Sequence, residues 1–115
     1  MPVPMSRCLI RLALISLALS GPVQAQKFHA IGSGSATCSS WLTWRLDPDS
    51  AIAIASEQWV LGFLSGVGYM GSKSIDPLRG IDAKAVFVWV DNYCIKEPEQ
   101  NLLSASIMFR FTHSH

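Results

Sequence analysis

Apolar residues recur with the period of a helix along most of this chain, beginning at Cys38. The stretch from Thr37 to Leu46 places Cys38, Trp41 and Trp44 three positions apart, so that they share one helical face. The turn that follows ends in Asp49-Ser50, and either residue is suited to cap the next helix. The pattern therefore predicts a short first helix with an aromatic inner face.

The longest apolar stretch runs from Ala51 to Tyr69 and predicts the second helix. Its apolar residues form two adjoining stripes, Trp59, Phe63 and Met70 in one and Val60, Leu64 and Val67 in the other. Two neighbouring stripes make a wide apolar face, which predicts that this helix is central and buried.

Two glycines, Gly62 and Gly66, lie four positions apart in this second helix. Small residues at that spacing let another helix approach closely, which offsets a propensity cost of about 1 kcal/mol for each glycine. The approaching helix belongs either to this domain or to a second copy in a homodimer, and the sequence leaves both open. The run from Trp59 to Met70 is too short to span a bilayer, so we expect no stable membrane insertion.

A third helix is predicted from Ala83 to Ile95, with Asp82 as its N-cap. Its inner face would carry Val86, Trp89, Val90, Tyr93 and Cys94. The segment 86–90 is also rich in β-branched and aromatic residues, which suit a strand. We favour the helix because the apolar pattern continues to Cys94.

The fourth helix is predicted from Pro98 to Arg110, because proline and Glu99 suit the first turn of a helix. Before the first helix, residues 26–36 are rich in glycine and serine and predict a flexible lead-in. Residues 112–115 predict a frayed tail. The expected fold is all-α, a compact bundle of about four helices over residues 37–111.

The first 25 residues have the order of a secretory signal peptide. Arg7 and Arg11 precede the short apolar run from Leu12 to Leu19, and a stretch ending in the small residue Ala25 follows. We expect cleavage after Ala25 and a periplasmic or secreted mature protein, with an uncleaved N-terminal anchor as the alternative.

Two cysteines, Cys38 and Cys94, remain after the leader, which takes Cys8 with it. An even pair in an exported domain predicts a disulfide rather than a metal site or a catalytic thiol. The cysteines are 56 positions apart. Closing a loop of that length stabilises a fold by about 4 kcal/mol in the chain-entropy account. A chain of about 90 residues can bury only a small core, so the disulfide would contribute a large part of the stability of the fold.

Charge and side-chain chemistry exclude several classes of function. The chain has 9 Lys+Arg and 8 Asp+Glu, and the leader holds two arginines and no acid, which leaves a formal charge of −1 without a basic cluster. A nucleic acid partner is therefore not expected. The histidines lie in the predicted tails, and the carboxylates lie mostly at helix ends. We expect no enzyme activity, no catalytic residue, no metal and no cofactor.

The four tryptophans suggest either large core side chains or a surface for a partner. The candidate partner surface comprises Trp44, Trp59, Phe63, Gly62, Gly66, Val67, Val86 and Trp89. For a binding module, the loop from Gly71 to Gly80 and Trp44 are the expected contacts.

Three short motifs carry a resemblance to known families. They are Thr37 to Leu42 (TCSSWL), Leu61 to Gly66 (LGFLSG) and Cys94 to Pro98 (CIKEP). Their order resembles the periplasmic acid-stress chaperones of the HdeA/HdeB type, which are small helical proteins with one disulfide. The same outline, especially Gly62-Phe63-x-x-Gly66-Val67 and the later Pro98 helix with Leu102 and Ala105, is also similar to small periplasmic immunity proteins that neutralise peptidoglycan amidase effectors. The resemblance implies a stress chaperone that binds client proteins or, alternatively, a module that recognises one envelope protein.

Overall fold

A computed structural model describes residues 29–71 and 76–113, which form an all-α domain. A short 3-10 helix, Gly32–Ser35, precedes four α-helices. These are α1 (Cys38–Arg45), α2 (Ala51–Met70), α3 (Ala83–Lys96) and α4 (Leu102–Thr112). The predicted leader (residues 1–25), residues 26–28, residues 72–75 of the loop predicted to contact a partner, and residues 114–115 of the predicted tail lie outside the described residues. The segment predicted as helix or strand, 86–90, is helical.

Each α-helix begins after a polar residue whose side chain accepts a hydrogen bond from the backbone N–H three positions later. The four caps are Thr37, Ser50, Asp82 and Asn101. Such caps satisfy amide groups that the first turn would otherwise leave unpaired. The sequence predicted Asp82 and offered Ser50 as one of two choices for α2, so these two helix starts are confirmed.

A disulfide joins Cys38, the first residue of α1, to Cys94 near the end of α3, with the two Cα atoms 4.8 Å apart. Both cysteines are fully buried. The core around them draws on all four helices and contains Trp41, Val60, Leu64, Val86, Val90, Leu102, Ala105 and Phe109. The predicted cross-link therefore lies inside the core and holds α1 against α3.

The fourth helix begins at Leu102, so the prediction that it starts at Pro98 was wrong. Residues 98–100 form a turn, because the backbone at 100–102 forms hydrogen bonds with the backbone at the start of α1. The N–H of Cys38 donates to the carbonyl of Gln100 at 2.7 Å, and the N–H of Leu102 donates to Ala36 at 3.0 Å. These long-range bonds leave the helix to begin after Asn101.

The predicted flexible lead-in is wrong for its last five residues. Residues 32–35 form the 3-10 helix, and Gly34 is buried against Trp59 of α2. The predicted frayed tail is wrong at Thr112, which ends α4, while the ring of His113 stacks on Phe109 with centroids 3.9 Å apart. Both ends of the domain are longer than predicted because aromatic side chains hold them in place.

Helix α2 is less buried than its two apolar stripes predicted. Its fully buried residues are Ala53, Ser56, Val60 and Leu64, whereas Met70 is 82% exposed. By length and composition alone, α2 is sufficient to cross a membrane, with 20 residues and a mean hydropathy of 1.2 in its most apolar window. One side of α2 is buried in the disulfide-linked core, and the opposite side is exposed to solvent.

Candidate functional site

An apolar groove of about 520 Å³ lies between the start of the domain, α2 and α4. Its lining residues are His29, Ala30, Ile31, Trp59, Phe63, Leu103, Ile107 and Arg110. We call it the Trp59 groove. This volume falls within the usual range for small-molecule and peptide-side-chain sites, about 300–1,000 Å³. The groove is open to solvent, and most of its wall is carbon.

Trp59 organises the groove. Its indole stacks on Phe63, one helical turn away, with ring centroids 5.5 Å apart and planes 11° from parallel. Its Nε1 donates a hydrogen bond of 3.1 Å to the carbonyl of Ile31. Because this bond satisfies the indole N–H, the ring can present an apolar face to the groove without an unpaired donor.

Gly34 allows the indole of Trp59 to lie directly on the 3-10 helix. A Cβ at this position would stand 2.0 Å from Cζ2 of Trp59, far inside contact distance. The contact between the 3-10 helix and the Trp59 indole holds both in position. The residues just before the 3-10 helix, 29–31, therefore form one wall of the groove.

Replacing Gly34 by alanine should therefore displace Trp59 or the 3-10 helix. We expect Gly34→Ala to lower the free energy of unfolding by about 2 kcal/mol, the usual scale for overpacking. Tryptophan fluorescence should shift as Trp59 becomes more solvated. Denaturant unfolding checks the first result, and emission spectra check the second.

Gly62→Ala is the matched control, since a Cβ there meets nothing within 4 Å and the position is exposed on α2. It should raise the free energy of unfolding by about 0.5–1 kcal/mol, because alanine favours the helix. Equal effects of the two substitutions would contradict the role given to Gly34.

A second cluster joins α1, α2 and α3 through the guanidinium of Arg45. Its Nη1 donates to Oε1 of Glu57 at 2.8 Å, and its Nε and Nη2 donate to the carboxylate of Asp91 at 3.0 and 3.1 Å. The indole Nε1 of Trp41 also donates to Asp91 at 2.7 Å. We call these four residues the Arg45 cluster.

The Arg45 cluster brings together two carboxylates that nothing in the sequence linked. Both accept hydrogen bonds from Arg45, whose side chain is 23% exposed. The hydrogen bond with Asp91 raises the pKa of Arg45 above its ordinary value, so the guanidinium stays charged. An arginine held between two carboxylates ties helices together, and this is the role that the geometry supports.

The structure divides the eight predicted surface residues among several places. Trp59 and Phe63 line the groove, whereas Gly62 and Gly66 are exposed on α2 with open space beside them. Three further residues, Trp44, Val67 and Trp89, are half-buried, and Val86 is fully buried in the core. Val86 could reach a partner only if α3 moved away.

The remaining wall of the groove comes from α4 and was not predicted as part of a site. Leu103, Ile107 and Arg110 follow one another at helical spacing there, which is a signal that they share one side of the helix. Ile31 lay in the segment predicted to be flexible. Its position follows from the contact between Gly34 and Trp59, which no local pattern encodes.

A group of aromatic side chains on α3 and α4 has Trp89 at its centre. Its ring stacks on Tyr93 with centroids 5.7 Å apart and meets the edge of Phe109 at 5.2 Å. Burial raises the pKa of Tyr93 above 10.0, and the charge of Glu97 adds to the shift.

The pKa of Tyr93 predicts how stability depends on alkaline pH. Between the unfolded and the raised folded pKa, the unfolded state binds fewer protons, so stability falls as pH rises. The contribution of Tyr93 is present below about pH 10 and is lost above it. Tyr93→Phe should reduce this fall in urea unfolding at pH 9–11. Tyr69→Phe is the control, because Tyr69 is 87% exposed, and a smaller fall in that variant would contradict the assignment.

In the part of the chain that the structure describes, no three or more His, Cys, Asp or Glu side chains are grouped to hold a metal ion. The candidate site is thus the apolar groove, with the Arg45 cluster on another side of α2. The chain matches no protein-family model, no curated protein and no solved structure.

Proposed function

We propose that this chain is an exported, non-enzymatic binding domain that holds an apolar segment of another protein in the Trp59 groove. The observation that supports it is the groove itself, which is concave, apolar and open in the folded state. A disulfide in the core is compatible with an oxidising compartment outside the cytoplasm.

The exposed apolar area of this domain argues for a protein ligand. Ile31 at the rim of the groove is 89% exposed, and Trp59 and Phe63 are only half-buried. With Leu103 and Ile107 they form a concave apolar surface, the shape and lining that ligand sites usually have. Aromatic residues are also enriched among those that contribute most to binding at protein interfaces.

A stress chaperone of the HdeA/HdeB type is the form of this function that we favour. The Arg45 cluster holds the junction of α1, α2 and α3 together through charged hydrogen bonds. Weakening this junction would make more of the core available to clients. An immunity-type module would instead hold a single envelope protein in the same groove.

Aggregation assays test this proposal. The mature domain, residues 26–115, is added to an unfolding client protein at pH 7 and at pH 2.5, and light scattering is followed. Phe63→Gln removes one wall of the groove, and Tyr69→Gln removes an exposed ring elsewhere on α2. We expect the wild type and Tyr69→Gln to suppress aggregation more strongly at pH 2.5, and Phe63→Gln to suppress it less.

The outcomes separate the alternatives. Equal suppression by Phe63→Gln and the wild type would overturn the role of the groove. Suppression of many clients at low pH supports the chaperone form. No suppression at either pH, in folded and disulfide-bonded protein, would overturn the chaperone form and leave recognition of a single partner.

A further inference from the structure

We propose that a small pocket on α3, between Trp89 and Lys96, binds one uncharged sugar ring. The pocket has a volume of about 170 Å³ and is lined by Trp89, Asn92, Tyr93 and Lys96. We call it the Trp89 pocket. It shares no lining residue with the Trp59 groove, so this inference goes beyond the proposed function and does not depend on it.

A single face of α3 carries all four lining side chains. They lie at i, i+3, i+4 and i+7, the spacing of neighbours along one side of a helix. The two aromatic residues are half-buried, whereas Asn92 and Lys96 are exposed. The Trp89 pocket therefore combines aromatic carbon with polar groups at the surface.

Neighbouring rings hold the aromatic part of the pocket in place. The indole of Trp89 stacks on Tyr93 with planes 11° from parallel, and it meets the rings of Phe109 and His113 at 87° and 81°. A ring that is already ordered loses little conformational freedom when a ligand binds to it. The pocket is thus prepared for a ligand before the ligand arrives.

The polar groups of the Trp89 pocket are available to a ligand. Within residues 29–71 and 76–113, no hydrogen bond is made by the indole N–H, the side-chain amide, the phenolic hydroxyl or the ammonium group of the four lining residues. In the same ranges, no buried side-chain nitrogen or oxygen lacks a partner, so these groups are in contact with solvent. Together they supply several donors and, through Asn92 and Tyr93, acceptors as well.

Two other tryptophans show how this chain treats an indole N–H that serves the fold. The Nε1 of Trp41 donates to Asp91 at 2.7 Å, and that of Trp59 donates to the carbonyl of Ile31 at 3.1 Å. Trp89 has a comparable place beside the core, yet its N–H is left for solvent or a ligand.

A sugar ring has the chemistry that matches this pocket. The C–H groups on the face of a pyranose pack on aromatic carbon, and its rim of hydroxyls both donates and accepts hydrogen bonds. The volume is below the range of about 300–1,000 Å³ that larger ligands need. The Trp89 pocket therefore suits one ring, either a free sugar or one unit of a glycan chain.

The charges around the pocket favour a neutral ring over an acidic one. Lys96 supplies a positive charge, and Glu97 follows it in the sequence. Burial raises the pKa of Tyr93, and the charge of Glu97 raises it further, which places the carboxylate of Glu97 within electrostatic reach of the pocket. The two charges offset each other, so an anionic ligand gains little.

NMR titration of the ¹⁵N-labelled, disulfide-bonded mature domain tests this inference. The probes are methyl β-glucoside, the corresponding glucuronide, which adds a carboxylate, and tetrahydropyran, which lacks the hydroxyls. The glucoside should shift the Trp89 indole and Asn92 amide signals, with a dissociation constant of about 1–10 mM for a ligand of this size. The glucuronide should bind within about twofold of it. Tetrahydropyran should bind at least about threefold more weakly.

A longer probe distinguishes the two sources of the ring. Cellotetraose should bind more tightly than the glucoside if the natural ligand is a glycan chain, and equally tightly if it is a free sugar. Either result supports a sugar site.

Two variants assign the binding to the pocket. Asn92→Ala removes an exposed amide, and Tyr93→Phe removes the hydroxyl but keeps the ring. Each should weaken glucoside binding by about threefold to tenfold, the scale of one neutral hydrogen bond. Gln58→Ala is the matched control, because it removes an exposed amide of α2 that lies outside the lining of the pocket. Circular dichroism verifies that all three variants are folded.

Three results would overturn the inference. The first is unchanged Trp89 and Asn92 signals at a glucoside concentration about tenfold above the expected dissociation constant. The second is equal binding by Asn92→Ala, Tyr93→Phe and Gln58→Ala. The third is a glucuronide or tetrahydropyran that binds more tightly than the glucoside, since the pocket would then select a charge or an apolar ring. None of these results bears on the Trp59 groove.

Discussion

Replacing Cys38 and Cys94 together by alanine is expected to lower the free energy of unfolding by about 4 kcal/mol. The loop between them spans 56 positions, and its closure restricts the unfolded chain by about that amount. Small domains are typically stable by only about 5–15 kcal/mol, so the variant should be close to unfolding at room temperature. Denaturant unfolding followed by circular dichroism measures the loss.

Reduction of the wild type provides the control for the disulfide. A reductant, applied with enough denaturant to expose the buried bond, should bring the wild type to the stability of the double variant and leave the variant unchanged. A double variant with nearly wild-type stability would show that helix packing alone holds the domain. That result would contradict the place given to the cross-link between α1 and α3.

Arg45→Met is expected to lower the free energy of unfolding by about 2–3 kcal/mol. The substitution keeps an apolar stem against Trp41, yet it leaves the carboxylates of Glu57 and Asp91 partly buried without their cation. Removing one member of a fully buried ion pair costs about 3–5 kcal/mol, and partial exposure reduces this. Urea unfolding at pH 7 gives the value.

Lys84→Met is the matched control, because it removes one positive charge from an exposed position of α3 beside the Arg45 cluster. It should change stability by less than about 0.5 kcal/mol. Combining Arg45→Met with Asp91→Asn should cost less than the sum of the two single changes, since both act on one hydrogen-bonded group. Additive losses, or equal losses for Arg45 and Lys84, would contradict the cluster.

Local patterns were sufficient to predict that α1, α2 and α3 form and where α2 and α3 begin. The caps at Ser50 and Asp82 and the buried positions Val86, Val90 and Cys94 follow from residue type and spacing within a single helix. The pairing of Cys38 with Cys94 followed from the two cysteines that remain after the predicted leader. These features need no knowledge of how the helices cross.

Long-range contacts were beyond the sequence patterns. Arg45 meets Glu57 and Asp91 across 12 and 46 positions, and the indole of Trp59 bonds to a carbonyl 28 positions away. The fourth helix was predicted to start at Pro98, but it starts at Leu102. The backbone of Gln100 and Leu102 forms hydrogen bonds with Cys38 and Ala36, which the local pattern does not encode. The groove depends on such contacts, and its walls come from three separate parts of the chain.

The groove and the predicted contacts of a binding module lie at different places, which NMR can distinguish. The Trp59 groove is central to this account, whereas Trp44 and the described residues of the predicted contact loop, 71 and 76–80, are not among its lining residues. A ¹⁵N-labelled mature domain titrated with an apolar peptide should show its largest shifts at the Trp59 indole N–H, Ile31 and Ile107. Shifts confined to Trp44 and that loop, or no shifts with a peptide that binds, would contradict the account.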